Sequence, residues 1–224
     1  MAMRAAFLAA LVFSLALAGC AGTPPPSNLD VTQASASPLV QAAIGGDVDQ
    51  VQSLASSGAS LNVVTAQGTP LTAAAANGHD RVAWFLLKQG ANPNLQDGNG
   101  VTPLIAAAAD GSQRLVKLLL SAGADVNASG GSGQTPVGAA AEAGNLSVVK
   151  TLLGAGGNVN IAPDGKSLLM HVVDNGDLLT AEVLIAAGAD ATYRAEDGTT
   201  ALDIARAKRY RDLEMLLVQA GAER

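Results

Sequence analysis

Aromatic residues make up only 3% of the 224 positions, with a single Trp among them. That scarcity excludes a core filled by large rings, so whatever packs must be small or aliphatic. There is one cysteine, Cys20, which cannot close an intramolecular disulfide. One Cys and two His leave little from which to build a zinc site, and no metal or other cofactor is expected. Charge is also short, at 14% of residues, with 13 Lys and Arg against 19 Asp and Glu for a net −6. Nucleic acid wants a basic patch, so no nucleic-acid partner is expected. Low charge beside an apolar fraction of 49% equally excludes wholesale disorder. After residue 20 no apolar run is long enough to span a bilayer. What the chain has in quantity is alanine and glycine, and small side chains let helix backbones approach closely.

The first nineteen residues read as an address. Arg4 is their only charge, and Ala5 to Ala18 is an apolar run of signal-peptide length that is too short for a typical membrane span. The run ends Leu17-Ala18-Gly19-Cys20, which resembles the lipobox of bacterial lipoproteins. That resemblance implies cleavage before Cys20, a diacylglycerol on its thiol and acylation of its new amino group. Such chains, at about 0.8 kcal/mol per buried CH₂, anchor a protein without a transmembrane helix. The alternative is an ordinary secretory signal cut after Ala18 or later, with Cys20 incidental. Residues 20–36, including Pro24-Pro25-Pro26-Ser27, read as an extended tether. Ala21, in place of the Asp that favours inner-membrane retention, points to the outer membrane facing the periplasm.

From residue 37 onward the chain is periodic. Gly-Ala recurs at Gly58-Ala59, Gly90-Ala91, Gly123-Ala124, Gly188-Ala189 and Gly221-Ala222, with Gly156-Gly157 between, at intervals of 32, 33, 33, 32 and 33. Twenty-one residues before each of these glycines stands a hydroxyl: Ser37, Thr69, Thr102, Thr135, Ser167 and Thr200. Such a residue accepts a hydrogen bond from an unpaired amide at a helix start, and Pro beside it fits the first turn. A mid-repeat Gly, replaced in the last unit by Arg209, stops that first helix because it tolerates the left-handed conformation. A second, Leu- and Val-rich helix follows. Gly-Ala ends it, and a Gly-bearing turn leads to the next unit.

Thr102-Pro103-Leu104 and Gly123-Ala124-Asp125-Val126-Asn127, set in this period, resemble the ankyrin repeat. The resemblance covers residues 37–224 and implies an all-α repeat fold: an ankyrin solenoid of six helix-turn-helix units joined by β-hairpins or β-turns. The chain departs from the family where His is usual after Thr-Pro-Leu. Here stand Val40, Thr72, Ile105, Gly138, Met170 and Asp203. Val172-Val173 replaces the usual Ala-Ala, and the extra bulk is expected to widen the local helix spacing. Lys208, Arg209, Arg211 and Asp212 look like a polar end cap.

No catalytic constellation emerges, and the chain is not expected to be an enzyme. His79 reads as a helix-start residue contacting the turn, and His171 as a partly buried spacer. Gly130-Gly131-Ser132-Gly133 lacks the Lys and Ser/Thr of a phosphate loop. Asp97-Gly98-Asn99-Gly100 lacks the closing Glu of a calcium loop, since position 108 is Ala.

By the resemblance, the chain binds another protein through a concave face made of first helices and turn tips, and it is expected to be a monomer. The two helix positions before each mid-repeat Gly supply Asn77, Asp110, Glu142, Asp174 and Asn175. The tips supply Asn99, Asp164, Glu196 and Asp197. Units three to six therefore gather acids, offset in part by Lys166, Arg194 and Lys208. The function expected is a lipid-anchored envelope scaffold, inhibitor or immunity protein, or partner of a periplasmic enzyme. A spacer without a dedicated partner is the alternative, and an enzyme with an unrecognised site a remoter one. Trp84 falls in an outward phase shared with Gln52, Lys117, Lys150, Glu182 and Met215, while Phe85 falls in the core phase. Trp84 either folds over Arg81 or Lys88 or forms a second contact surface.

Overall fold

Five of the six hydroxyl residues that open the repeats cap a helix through their side chains. The structure, a computed structural model, describes residues 37–162 and 164–222. Thr69 Oγ1 accepts from the Thr72 amide at 3.0 Å, and Thr102, Thr135, Ser167 and Thr200 do likewise three residues on. Thr200 and Asp203 form a reciprocal box, in which the Asp203 carboxylate accepts from the Thr200 amide. Ser37 precedes its helix without making this bond. The first helices of the units are α1 (Pro38–Gly45), α3 (Pro70–Ala76), α5 (Pro103–Asp110), α7 (Pro136–Glu142), α9 (Leu168–Asp174) and α11 (Ala201–Lys208). The second helices are α2 (Val48–Ser56), α4 (Asp80–Lys88), α6 (Gln113–Ser121), α8 (Leu146–Gly154), α10 (Leu178–Ala186) and α12 (Arg211–Gln219).

First helices stack on first helices and second on second, so the array has two layers with a continuous core between them. In α5 every residue from Pro103 to Ala108 is buried, and α3 and α7 follow the same pattern. The second helices bury one stripe each, such as Leu115, Val116 and Leu119 in α6. Phe85, expected in the core, is only half-buried at its edge; Leu86 takes the inward position. Alanine contacts draw the first helices together more closely than leucine contacts draw the second, because interaxial distance follows side-chain size. The stack therefore curves toward the first-helix layer, which becomes concave. Val172 and Val173 are buried, and α9 meets α7 and α11 over fewer residues than α5 meets α3 and α7.

The turns between units hold no strand among the described residues; only isolated bridges join Thr65 to Gly68 and Arg194 to Thr200. The hairpins allowed for in the sequence are thus tight turns. Neighbouring turns press backbone on backbone: a Cβ at Gly100 would fall 2.3 Å from the Gly131 amide nitrogen. At the base of the turns an asparagine ladder joins the units. Asn94 Nδ2 donates to the Gly123 carbonyl at 2.9 Å while its Oδ1 accepts from the Asp125 amide at 2.8 Å. Asn127 and Asn160 repeat both bonds to the next unit. Arg209 stands at φ 60° where the other units carry Gly, the one non-glycine residue with positive φ among those described.

No helix among the described residues is long and apolar enough to cross a membrane. The signal-like segment, Cys20 and the tether lie outside the described residues.

Candidate protein-interaction face

On the concave side α3, α5 and α7 are buried up to their last turn, so their exposed chemistry sits at the helix ends and at the turn tips, whereas α1, α9 and α11 also open at Gln41, His171 and Asp203. Asn77, Asp110, Glu142, Asp174 and Asn175 are exposed at those ends, and Asn99, Asp164, Glu196 and Asp197 are exposed on the tips. They do not act as a uniform acidic sheet. Asp164 Oδ1 accepts from His171 Nε2 at 3.0 Å, and this bond holds the Asp164 carboxyl below the ordinary 3.8. Asp174 Oδ1 lies 2.7 Å from Lys208 Nζ, which also donates to the Asp174 carbonyl, and the ammonium lowers the Asp174 carboxyl in the same way. The amide and hydroxyl of Thr199 lower Asp197. Glu142 accepts from Gln134 Nε2 at 3.2 Å, and Asn77 Nδ2 donates to the Ala73 carbonyl at 2.8 Å. Among the described residues no cation pairs with Glu142, and the Asp110 carboxylate lies 3.1 Å from where a Cβ on Gly78 would stand. Units three to six thus present carboxylates of which Asp164 is tied to an imidazole and Asp174 to an ammonium.

His79 does sit at a helix start, as the N-cap of α4, but its ring reaches back to the preceding unit. Its Nε2 donates to the Ile44 carbonyl at 2.8 Å, and the ring covers Gly46. Asn145 covers Gly111 and donates to the Ala108 and Ala109 carbonyls, while Tyr210 covers Gly176. His79, Asn145 and Tyr210 each follow the mid-repeat position of their own unit (Gly78, Gly144 and Arg209) and lock the mid-repeat glycine of the unit before, a role that spacing within one repeat does not reveal. His171 has a side chain 28% exposed and serves Asp164 on the face rather than filling space. Among the described residues no three His, Cys, Asp or Glu side chains gather as metal ligands.

The opposite face carries Trp84, 52% exposed, with Lys88 Nζ 5.0 Å from its ring centroid. Beside it an open groove of about 390 Å³ between α2, α4 and α6 is lined by Val48, Phe85 and Leu118 and by two cations, Arg81 and Arg114, with one acid, Asp80.

The family model for ankyrin repeats (3 copies) matches residues 3–97, 39–130, 85–163 and 138–223. The chain is similar to an ankyrin repeat domain from Acinetobacter baumannii, with 31% identity and a TM-score of 0.75 over 83% of this chain and 98% of that one. It is also similar to the ankyrin repeat domain of Bcl-3, a member of the IκB protein family, with 26% identity and a TM-score of 0.75 over 84% and 87% of the two chains. No curated protein matches. The Acinetobacter domain consists almost entirely of the part that matches, so an array of this extent folds as an independent unit.

Proposed function

We infer the function from one premise: the chain belongs to the ankyrin-repeat family, whose repeats generally mediate protein–protein interaction and whose fold is typically non-enzymatic. We propose that it is a lipid-anchored protein of the bacterial envelope that holds a protein partner on its concave face, as scaffold, inhibitor or partner of a periplasmic enzyme. The carrying observation is the contrast within the first helices. In α5 and α7 everything up to the last turn is buried, and in α9 everything but His171, so the free positions gather at helix ends and tips, where units three to six carry Asp110, Glu142, Asp164, Asp174, Glu196 and Asp197. A rigid frame that presents spaced carboxylates suits a basic protein surface, with electrostatics setting specificity and on-rate.

A photo-crosslinking residue placed at Asn175 should capture the partner from envelope extracts, whereas one at Ser121 in α6 should not. Reversal of Asp164 and Asp197 to Lys should reduce capture more at low salt than at high salt, as screening requires. Equal capture from both positions would remove the concave face from the reading. The anchor has its own test: Cys20→Ser should abolish labelling by a fatty-acid probe, and persistent labelling excludes Cys20 as the lipidated residue.

A further inference from the structure

The second helices of units two to four carry a charge opposite to that of the protein. Helices α4, α6 and α8 hold Arg81, Lys88, Arg114, Lys117 and Lys150 against one acid, Asp80. Their first-helix partners α3, α5 and α7 hold no cation and two acids, Asp110 and Glu142. All five cations are exposed. Arg114, 89% exposed, meets Asp80 only at 3.5 Å, so the pair leaves most of its guanidinium surface open.

The phase of the repeat aligns these residues. Lys117 and Lys150 occupy in units three and four the position of Trp84 in unit two, and Arg114 matches Arg81 one turn earlier. Together they form a cationic strip with an indole at one end. The large apolar side chains that protrude, Trp84, Leu179, Met215 and Val218, all belong to second helices and none to first helices. Of these only Trp84 lies on the cationic helices; Leu179, Met215 and Val218 protrude from α10 and α12, which carry Glu182, Asp212 and Glu214 against Arg211, so the cationic and apolar chemistry coincides in units two to four alone.

We propose that this convex face docks on an anionic phospholipid surface. Lys and Arg meet the phosphates, Trp84 enters the headgroup layer where indole is favoured, and the groove beside it takes a headgroup between the Arg81 and Arg114 side chains. Charge with an exposed indole favours a phosphate-bearing interface, and a stack docked by this side keeps its concave face open. The concave acids do not oppose docking. They lie two helix layers away, on the order of 20 Å, which exceeds the Debye length of about 8 Å at physiological salt. The acyl anchor proposed above would add proximity, but the docking belongs to the array itself and does not depend on it.

Trp84 is the only Trp, so its emission reports this face alone. Residues 37–224 without any acyl group are mixed with vesicles of phosphatidylcholine, and with vesicles in which about a third of the lipid is phosphatidylglycerol, a content that sets a clearly negative surface potential. Expected are co-sedimentation and a blue-shifted emission with the anionic vesicles only, both lost at high salt. Loss of each cation should weaken binding about fivefold, so the double variant Arg114→Ala with Lys117→Ala should weaken it about 25-fold, with an unchanged helical circular-dichroism spectrum. Equal binding to both vesicles, no binding, or binding that leaves the emission unshifted overturns the proposal. A polyglutamate peptide that shifts the emission when anionic vesicles do not would give the face to an acidic protein instead. The fatty-acid labelling of Cys20 is read separately, so either idea can fail without the other.

Discussion

In α5 six consecutive residues from Pro103 are buried, whereas in α6, one turn of chain away, only Leu115, Val116 and Leu119 are. The first-helix layer is packed on both sides by its neighbours and beneath by the second helices, so its composition is dictated almost wholly by space. The second-helix layer has one dictated stripe and an outer surface that the fold leaves free. What appears on that outer surface, such as Lys117, Lys150 and Trp84, is therefore informative about surroundings in a way that the alanines of α3, α5 and α7 are not. On the concave side the same information is confined to helix ends and turn tips.

The largest effect that would test this contrast lies on the dictated stripe. Leu119 is fully buried in the outer layer, and Leu119→Ala should lower unfolding free energy by about 2 to 5 kcal/mol in a urea titration. If it did not, the inward stripe of α6 would be misassigned. The inner layer should fail in the opposite sense. Ala107 has no accessible surface between α3 and α7, so Ala107→Leu should cost about 1 to 3 kcal/mol through overpacking. A tolerated Leu at that site would show that the layer is looser than its alanines suggest. Arg209 offers a gain: its left-handed backbone should relax on Arg209→Gly, raising stability by about 1 kcal/mol and the melting temperature with it. Trp84→Lys, on the free surface, should shift stability by no more than about 0.5 kcal/mol. A loss of several kcal/mol would mean that the indole is part of the core.

The smallest effect concerns acid. Asp164 and Asp174 titrate below 3.8 in the folded chain because His171 and Lys208 stabilise their charged forms. Their contribution is therefore complete above that value and is lost as pH falls through the lower folded values. Both groups are largely exposed, so the pairs should be worth no more than a few tenths of a kcal/mol at moderate salt. Asp164→Asn with Asp174→Asn should flatten the acid limb of a stability profile by that small amount, measurably at low ionic strength.

The period of the sequence made the twelve helices, their starts and most of the buried positions legible, because each recurring residue has a local mechanical role. Thr102 caps α5, Pro103 opens it and Gly111 closes it, all within one unit. Contacts between units were not legible, since a single repeat does not show which side chain reaches the next one. The His79 bond to Ile44 and the pairing of Asp174 with Lys208 are both of this kind. The acids of the concave face could be named from phase, but two of them are tied to partners, His171 and Lys208, that lie seven and 34 positions along the chain. Phe85 does pack against the core, unlike Trp84, but only partly, because Val82, Ala83 and Leu86 take the buried stripe of α4. The sign of the convex face was visible in Lys117 and Lys150, yet it gains meaning only once Arg81 and Arg114 are seen to flank one groove.

The asparagine ladder also bears on how the chain reaches its native state. Each rung joins a unit only to the next, and among the described residues the longest-range side-chain hydrogen bond closes within 38 positions, from Gln113 to Thr151. Loop-closure entropy is correspondingly small for every contact, which places the array among fast folders with a growing front rather than a single global nucleus. The tight alanine interfaces α3–α5 and α5–α7 are where such a front would start. The units carrying Val172, Val173 and the strained Arg209 would then join last and be the first to fray.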